Sequence, residues 1–398
     1  MTGVLFLTES FHPVLGGGEG HIQQLSRRLA AAGLRASVIT RRIDAAWPAE
    51  ETLDGVRVVR VGPAGRGRRG KYAMVGPALA ALRRERHGFD VLVVRGTRVL
   101  GLPGVAAARA LGKSVVLQPE LNGEMSGEVY TWGTTLHVPA VRRAVGVGTA
   151  ARNLLLRDAD AFVAMAHAIA AECLAAGAAP ERIVRLPHGV DMARFSPASA
   201  EEQRALRVRQ GLPESGVVAT YTGRLLRGKG LETLVDAFAT IAAEEPRAHL
   251  MIVGSGDGQT LSVEPELKES VRARGLESRV TFTGRVDDVG ERLRASDLFV
   301  FPSEFEALGI SLIEAAACGL PAIGARTGGI VDVIEDGASG LLVAPRDVAA
   351  LAWAMRTLMA DPERRRQMGR RARQIARDRF DLEDNVSRYA ALFRELGG

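Results

Sequence analysis

Two glutamates eight positions apart, Glu306 and Glu314, lie in the stretch Pro302-Ser-Glu-Phe-Glu-Ala-Leu-Gly-Ile-Ser-Leu-Ile-Glu-Ala-Ala-Ala-Cys-Gly-Leu-Pro321. The first falls in a loop after an apolar run, and the second lies more than a turn inside the helix that follows. Helix-dipole capping therefore cannot account for the pair. Glu314 is flanked by Leu312, Ile313 and Ala315–Ala317, surroundings in which an unpaired carboxylate is costly. Either a ligand diol donates its hydroxyls to Glu314, or an arginine elsewhere in the chain pairs with it.

A second stretch, Gly223-Arg-Leu-Leu-Arg-Gly-Lys-Gly230, sits between an apolar run and a helical pattern. Arg224 and Lys229 flank flexible backbone just before a helix N-terminus. Two cations, exposed amides and the positive end of a helix dipole suit a diphosphate. No Ser or Thr follows the lysine to hold magnesium, so this is not a Walker motif. A third stretch, Gly16-Gly-Gly-Glu-Gly20, precedes the first helical pattern. It is either an anion-binding turn or a tight turn of purely structural use. It lacks GxGxxG spacing, and the second apolar run ends in Thr40-Arg41-Arg42 with no acid to hold a ribose. A dehydrogenase is disfavoured on both counts.

Placing these groups requires strands that end where they begin. Apolar, β-branched runs alternate with helix-period segments throughout, the signature of parallel sheets covered on both faces. Strands are predicted at Val4–Thr8, Ala36–Thr40, Val56–Val61, Val91–Val94, Ser114–Leu117, Ala161–Ala164 and Ile183–Leu186. The same grammar restarts at Val217–Thr222 and continues through His249–Val253, Val280–Thr283, Leu298–Phe301, Ala322–Gly324 and Gly340–Val343. Between the halves, Leu186–Pro197 is rich in turn formers and reads as a hinge. The expected domains are 1–190 and 191–375, with a final helix, 376–398, crossing back to the first. The predicted fold is α/β, two Rossmann-like doubly wound domains facing a cleft at the carboxyl ends of their strands.

A length of 398 residues agrees with two domains at ~100–200 residues each. The first 195 residues carry 25 lysines and arginines against 16 acids, a net +9, and the remainder 27 against 30, a net −3. That basic half suits a phosphorylated substrate or an anionic lipid surface, and a solvated arginine-rich face explains it equally. With 5% aromatic residues and no binding motif, nucleic acid is not an expected partner. Two distant cysteines, Cys173 and Cys318, form no disulfide pattern. No 18-residue apolar run occurs, and the first residues read as a strand and not a leader. A cytoplasmic protein is expected, at most seated peripherally on the inner face of a membrane.

In this order, Gly-Gly-x-Glu, His-Gly-Val-Asp, Gly-Arg-(x4)-Lys-Gly, Val-Gly-x-Gly, Gly-x-Val and Glu-(x7)-Glu resemble the retaining glycosyltransferases of family 4, which have the two-Rossmann-domain GT-B fold. The resemblance covers essentially the whole chain and is most specific over Pro302–Pro321. It implies a hexosyltransferase of glycan biosynthesis that uses a nucleotide diphosphate-sugar, UDP by family frequency, as co-substrate without a metal or other cofactor. The first domain would take the acceptor and the second the donor. Arg224 and Lys229 would neutralise the diphosphate, with the amides of Gly16 and Gly17 completing that site. Glu314 would take the ribose hydroxyls and Glu306 the sugar hydroxyls. Amides of Leu308, Gly309 and Ile310 would approach sugar and phosphate, and the backbone of Arg285 and Val286 would edge the nucleobase. Many relatives carry a histidine after the strand matching Ser114–Leu117. Here the segment is Gln118-Pro-Glu-Leu-Asn-Gly-Glu124, and Glu120 or Glu124 stands on the acceptor side instead.

The acceptor itself, lipid-linked, small or polymeric, is set by loops such as 64–72 and 121–135. A phosphorylase or epimerase on the same fold, and a non-catalytic sugar-nucleotide-binding subunit, are the alternatives. Asp158-Ala-Asp160 mimics the metal-binding motif of other glycosyltransferases but caps a strand. Residues Arg66–Lys71 read as a solvated loop, and Arg364–Arg366 as the solvent face of a charged helix.

Overall fold

The computed structural model describes residues 1–14, 16–65, 67–130, 139–259 and 261–398. The chain divides into two units, residues 1–189 with 383–398, and residues 190–382.

In the first unit the strands are β1 (Gly3–Thr8), β2 (Arg35–Arg41), β3 (Glu50–Leu53), β4 (Val56–Val61), β5 (Val91–Arg95), β6 (Ser114–Gln118), β7 (Ala161–Ala164) and β8 (Ile183–Arg185). Their order among the described residues is β3-β4-β2-β1-β5-β6-β7-β8. Every pairing is parallel except β3 with β4, which is antiparallel. All six residues of β1 and all five of β5 are buried, so both faces of the sheet centre are covered, as parallel sheets require.

The second unit adds β9 (Val217–Thr222), β10 (Ala248–Val253), β11 (Val280–Gly284), β12 (Leu298–Phe301), β13 (Ala322–Ala325) and β14 (Gly340–Val343). Their order is β11-β10-β9-β12-β13-β14, parallel throughout. Helix Leu231–Ala242 shows how the cover works: Leu231, Leu234, Val235, Phe238 and Ile241 all turn inward. Burying five such side chains contributes on the order of 10 kcal/mol before entropy is charged.

Helix Pro362–Phe380 stays with the second unit, where it buries Met368, Ala372, Ile375, Ala376 and Phe380. Its Arg373 donates to the carbonyls of Phe195 at 2.7 Å and Ala317 at 2.5 Å. The segment returning to the first unit is therefore 383–398, shorter than the expected 376–398. In it Tyr389 and Phe393 are fully buried, and Phe393 meets Phe6 edge-on at 6.1 Å. Arg365 departs from the expected solvent face: it donates to the carbonyls of Leu358 and Met359, closing the end of the preceding helix.

Candidate functional site

Because β9 to β12 are parallel, the segments that follow them emerge at one edge of the second sheet. The strand order reverses between β9 and β12, the switch point where doubly wound sheets open a crevice. Segments 223–230 and 302–310 leave at that point and are stitched together. The Glu304 amide donates to the Gly228 carbonyl at 3.0 Å. Gly230 lies at φ +69 against Pro302, whose carbonyl oxygen a Cβ would overlap. Lys229 and Glu306 meet across this seam, Nζ to Oε2 at 2.8 Å, with side chains 22% and 16% exposed. Arg224 lies exposed beside them; its backbone carbonyl accepts from the Tyr221 hydroxyl at 3.2 Å. No hydrogen bond or ion pair within the described residues occupies its guanidinium.

Gly309, at φ +90, lets the chain turn into helix Ile310–Ala317. The backbone N–H groups of Leu308, Gly309 and Ile310 donate to no group among the described residues. A helix start with free amides, in the segment that also carries Glu306 and its partner Lys229, can hold an anion. The Ala307–Leu308 backbone is held by Gly329, whose amide donates to the Glu306 carbonyl at 3.1 Å.

Glu314 occupies the second turn of that helix and is half-buried. Among the described residues no hydrogen bond or ion pair reaches its carboxylate, so the alternative of an arginine partner is not realised there. Desolvation pushes the Glu314 carboxyl up to about 7, against the pull of the Arg194 guanidinium. Donors arriving from outside would stabilise its ionised form further. Arg285 and Val286 follow β11 on the same edge. Arg285 is exposed, and the half-buried Val286 packs against the cluster of Leu206, Leu212, Val218, Met251, Val253 and Ala295.

In the first unit Gly16 precedes helix Gly17–Ala31 in extended backbone. Glycines 17 and 18 thus open the first helical turn, where N–H groups are unused by the helix, while the Gly20 amide already donates to the Gly16 carbonyl at 2.9 Å; the stretch is not the separate turn expected. Glu120, after β6, pairs with Arg95 at 2.6 Å. Glu124, the other acceptor-side candidate, is 2% exposed and faces inward. Its Oε2 accepts from the Thr97 amide at 2.8 Å and hydroxyl at 3.0 Å, and its Oε1 from the Glu120 amide at 3.3 Å. Burial pushes its carboxyl up to about 7. Glu124 shapes the loop, and Glu120 is the more exposed of the two candidates, its side chain 34% accessible.

Asp160 is spent structurally, accepting from the Val115 amide at 2.7 Å and pairing with Arg109 at 3.0 Å. Residues Arg68–Ala73 form a short helix instead of a loop, with Lys71 on Glu9 at 2.6 Å. Of the two loops expected to choose the acceptor, Arg66 and residues 131–135 lie outside the described residues.

Two features escaped the sequence reading. His21 and His188 stack with ring centroids 4.0 Å apart, and burial pulls both imidazoles down, His188 to about 3, so the stack is uncharged at neutral pH. Arg95, 2% exposed, lies close enough to lower both further. A charged residue closing the otherwise apolar run Val91–Val94 was the available signal.

Two doubly wound parallel-sheet units thus make up the fold, and the second carries Arg224, Lys229, Glu306 and Glu314 on the segments that follow its strands. A family model described as Glycosyltransferase Family 4 matches residues 15–194, and one described as Glycosyl transferases group 1 matches residues 202–375. The chain is 30% identical over 372 residues to D-inositol 3-phosphate glycosyltransferase 2 of Catenulispora acidiphila, covering 90% of this chain and 85% of that one. It is 30% identical over 279 residues to N-acetyl-alpha-D-glucosaminyl L-malate synthase of Bacillus anthracis, 69% of this chain and 70% of that one. Sucrose-phosphate synthase from Thermosynechococcus elongatus shares the fold with a TM-score of 0.82 at 24% identity, over 100% of this chain and 99% of that one. HepE of Anabaena, solved with UDP-glucose, does so with a TM-score of 0.78 at 24% identity, over 99% and 100%. The chain belongs to the family 4, group 1 glycosyltransferases. No helix among the described residues is long and apolar enough to cross a membrane.

Proposed function

We propose that this enzyme moves a sugar from a uridine diphosphate-sugar to an acceptor hydroxyl, with retention of anomeric configuration and without a metal ion. The observation that carries this reading is the set Arg224, Lys229–Glu306 and unpartnered Glu314 around the free amides at Leu308–Ile310. Arg224 and Lys229 neutralise the diphosphate. Lys229 gives one of its three donors to Glu306 and keeps the others for phosphate. Glu314 accepts from the ribose diol, Glu306 from sugar hydroxyls, and the backbone at Arg285 and Val286 edges the base. Glu120, in the first unit, orients the acceptor. The UDP-glucose complex of HepE supports the choice of uridine.

As the glycosidic bond breaks, negative charge gathers on the departing diphosphate. Cations already in place stabilise it without reorganisation. The acceptor oxygen attacks from the same face, and its proton passes to a phosphate oxygen of the leaving group. Turnover of UDP-glucose with D-inositol 3-phosphate and L-malate, the acceptors suggested by the relatives' names, tests this when the product anomer is read by NMR. An α-linked product supports the reading, and an inverted one overturns it.

A further inference from the structure

We propose that Arg95 is a positioning residue: it holds the Glu120 carboxylate ionised and aimed at the acceptor hydroxyl while fixing the helix start at Gly18. The inference rests on the reading of Glu120 as the acceptor-side group. Arg95 closes β5, and its guanidinium reaches two elements, donating from Nη1 to the Gly18 carbonyl at 3.0 Å and meeting Glu120 Oε1 from Nη2 at 2.6 Å. The two ends of the pair differ in access, with Arg95 2% exposed and Glu120 34%. The guanidinium is thus walled in, while the carboxylate keeps an open side. The stacked imidazoles of His21 and His188 near Arg95 are neutral, and among the described residues Glu120 is the carboxylate that compensates its charge.

Gly18 and Gly96 back onto this pair: a Cβ on Gly18 would stand 3.6 Å from Arg95 Nη2 and 3.7 Å from Glu120 Oε1, and one on Gly96 3.7 Å from Glu120 Oε2. The charged groups around Glu120 are Arg95 from β5, Glu9 after β1, Glu19 on the first helix, Lys71 on the short helix and Glu124 in its own loop. Burial and the two acids Glu9 and Glu19 raise the Glu120 carboxyl, and Arg95 is the principal group lowering it. Only an ionised Glu120 accepts the acceptor's proton donor on both oxygens, so activity rises with pH through its titration.

The test titrates Glu120 by carboxyl carbon NMR, assigned against E120Q, in wild type, R95M and R95K, alongside the pH profile of UDP release from UDP-glucose. In R95M, Glu120 is expected to titrate at higher pH, the rising limb of the profile to move with it, and release at pH 6 to fall about tenfold. R95K retains the charge but cannot span both contacts; its Glu120 titration is expected near wild type, which keeps the test decisive should R95M not fold. An unmoved Glu120 titration in R95M, or an R95K variant whose Glu120 titrates clearly above wild type, overturns the charge role. If E120Q releases UDP like wild type, the acceptor reading of Glu120 fails and the proposal with it. If E120Q is impaired while R95M keeps the wild-type profile, only the positioning role fails.

Discussion

Glu306 and Lys229 pair at 2.8 Å, and each is then asked to serve a different part of one ligand. Removing either leaves the other charge unbalanced at a half-buried position. We expect E306Q and K229A to fold as wild type by circular dichroism yet lose transfer by about a hundredfold or more, the scale of a lost preorganised charge. Near-native turnover in both would contradict their assignment. Glu314 gives a pH prediction with a definite sign. Its carboxyl, pushed up to about 7, is largely protonated at pH 6 and ionised at pH 8. Ribose hydroxyls favour the ionised form, so UDP should bind up to about tenfold more tightly at pH 8 than at pH 6. E314Q should flatten that dependence, and calorimetric titration at the two pH values checks it. The apoprotein is expected to follow the opposite trend. A folded-state pKa above the unfolded value contributes stability at low pH that is lost as pH rises from about 4.5 to about 7. E314Q should therefore stabilise the empty enzyme at pH 8 more than at pH 5, as a thermal melt will show.

Two seams make the second unit's site rigid, the Glu304-to-Gly228 hydrogen bond and the approach of Gly230 to Pro302. G230A adds a left-handed penalty and a backbone overlap, together costing about 2 kcal/mol or more. A lowered Tm together with a weakened UDP response is expected; an unchanged Tm would show that the seam is soft. Strands of this kind announce themselves in sequence because both their faces are buried, so Val217–Thr222 and Leu298–Phe301 read as apolar runs and the loops after them were locatable. Strand β3 was not legible, since Glu50–Leu53 is a half-exposed edge paired antiparallel to β4 and carries no apolar run. Gly17–Gly20 read as a turn because glycine is a poor helix former, yet a first turn needs few intrahelical bonds. The Arg95–Glu120 pair and the His21–His188 stack join residues from β5, the loop after β6, the first helix and the loop after β8. Such long-range meetings leave no local spacing to read.

At the scale of the whole molecule, each unit carries polar groups at the carboxyl ends of its strands, set by one topological rule applied twice. The first unit holds Arg95 and Glu120, and the second holds Arg224 and Lys229, the cations proposed for phosphate. With Arg224 and Lys229 supplying the charge that a divalent ion supplies elsewhere, chelator should leave the transfer rate within about twofold. Strict dependence on added magnesium or manganese would contradict the account. The measurement that bears most directly on its central claim is a thermal-shift panel with UDP, GDP, ADP, TDP and UDP-glucose on wild type and R224A. A ligand at ~100 times its Kd adds about 2.7 kcal/mol of stability. Uridine diphosphates should stabilise wild type by that order, and R224A should lose most of the effect. Equal stabilisation of both proteins, or none by any nucleotide at millimolar concentration, would contradict it.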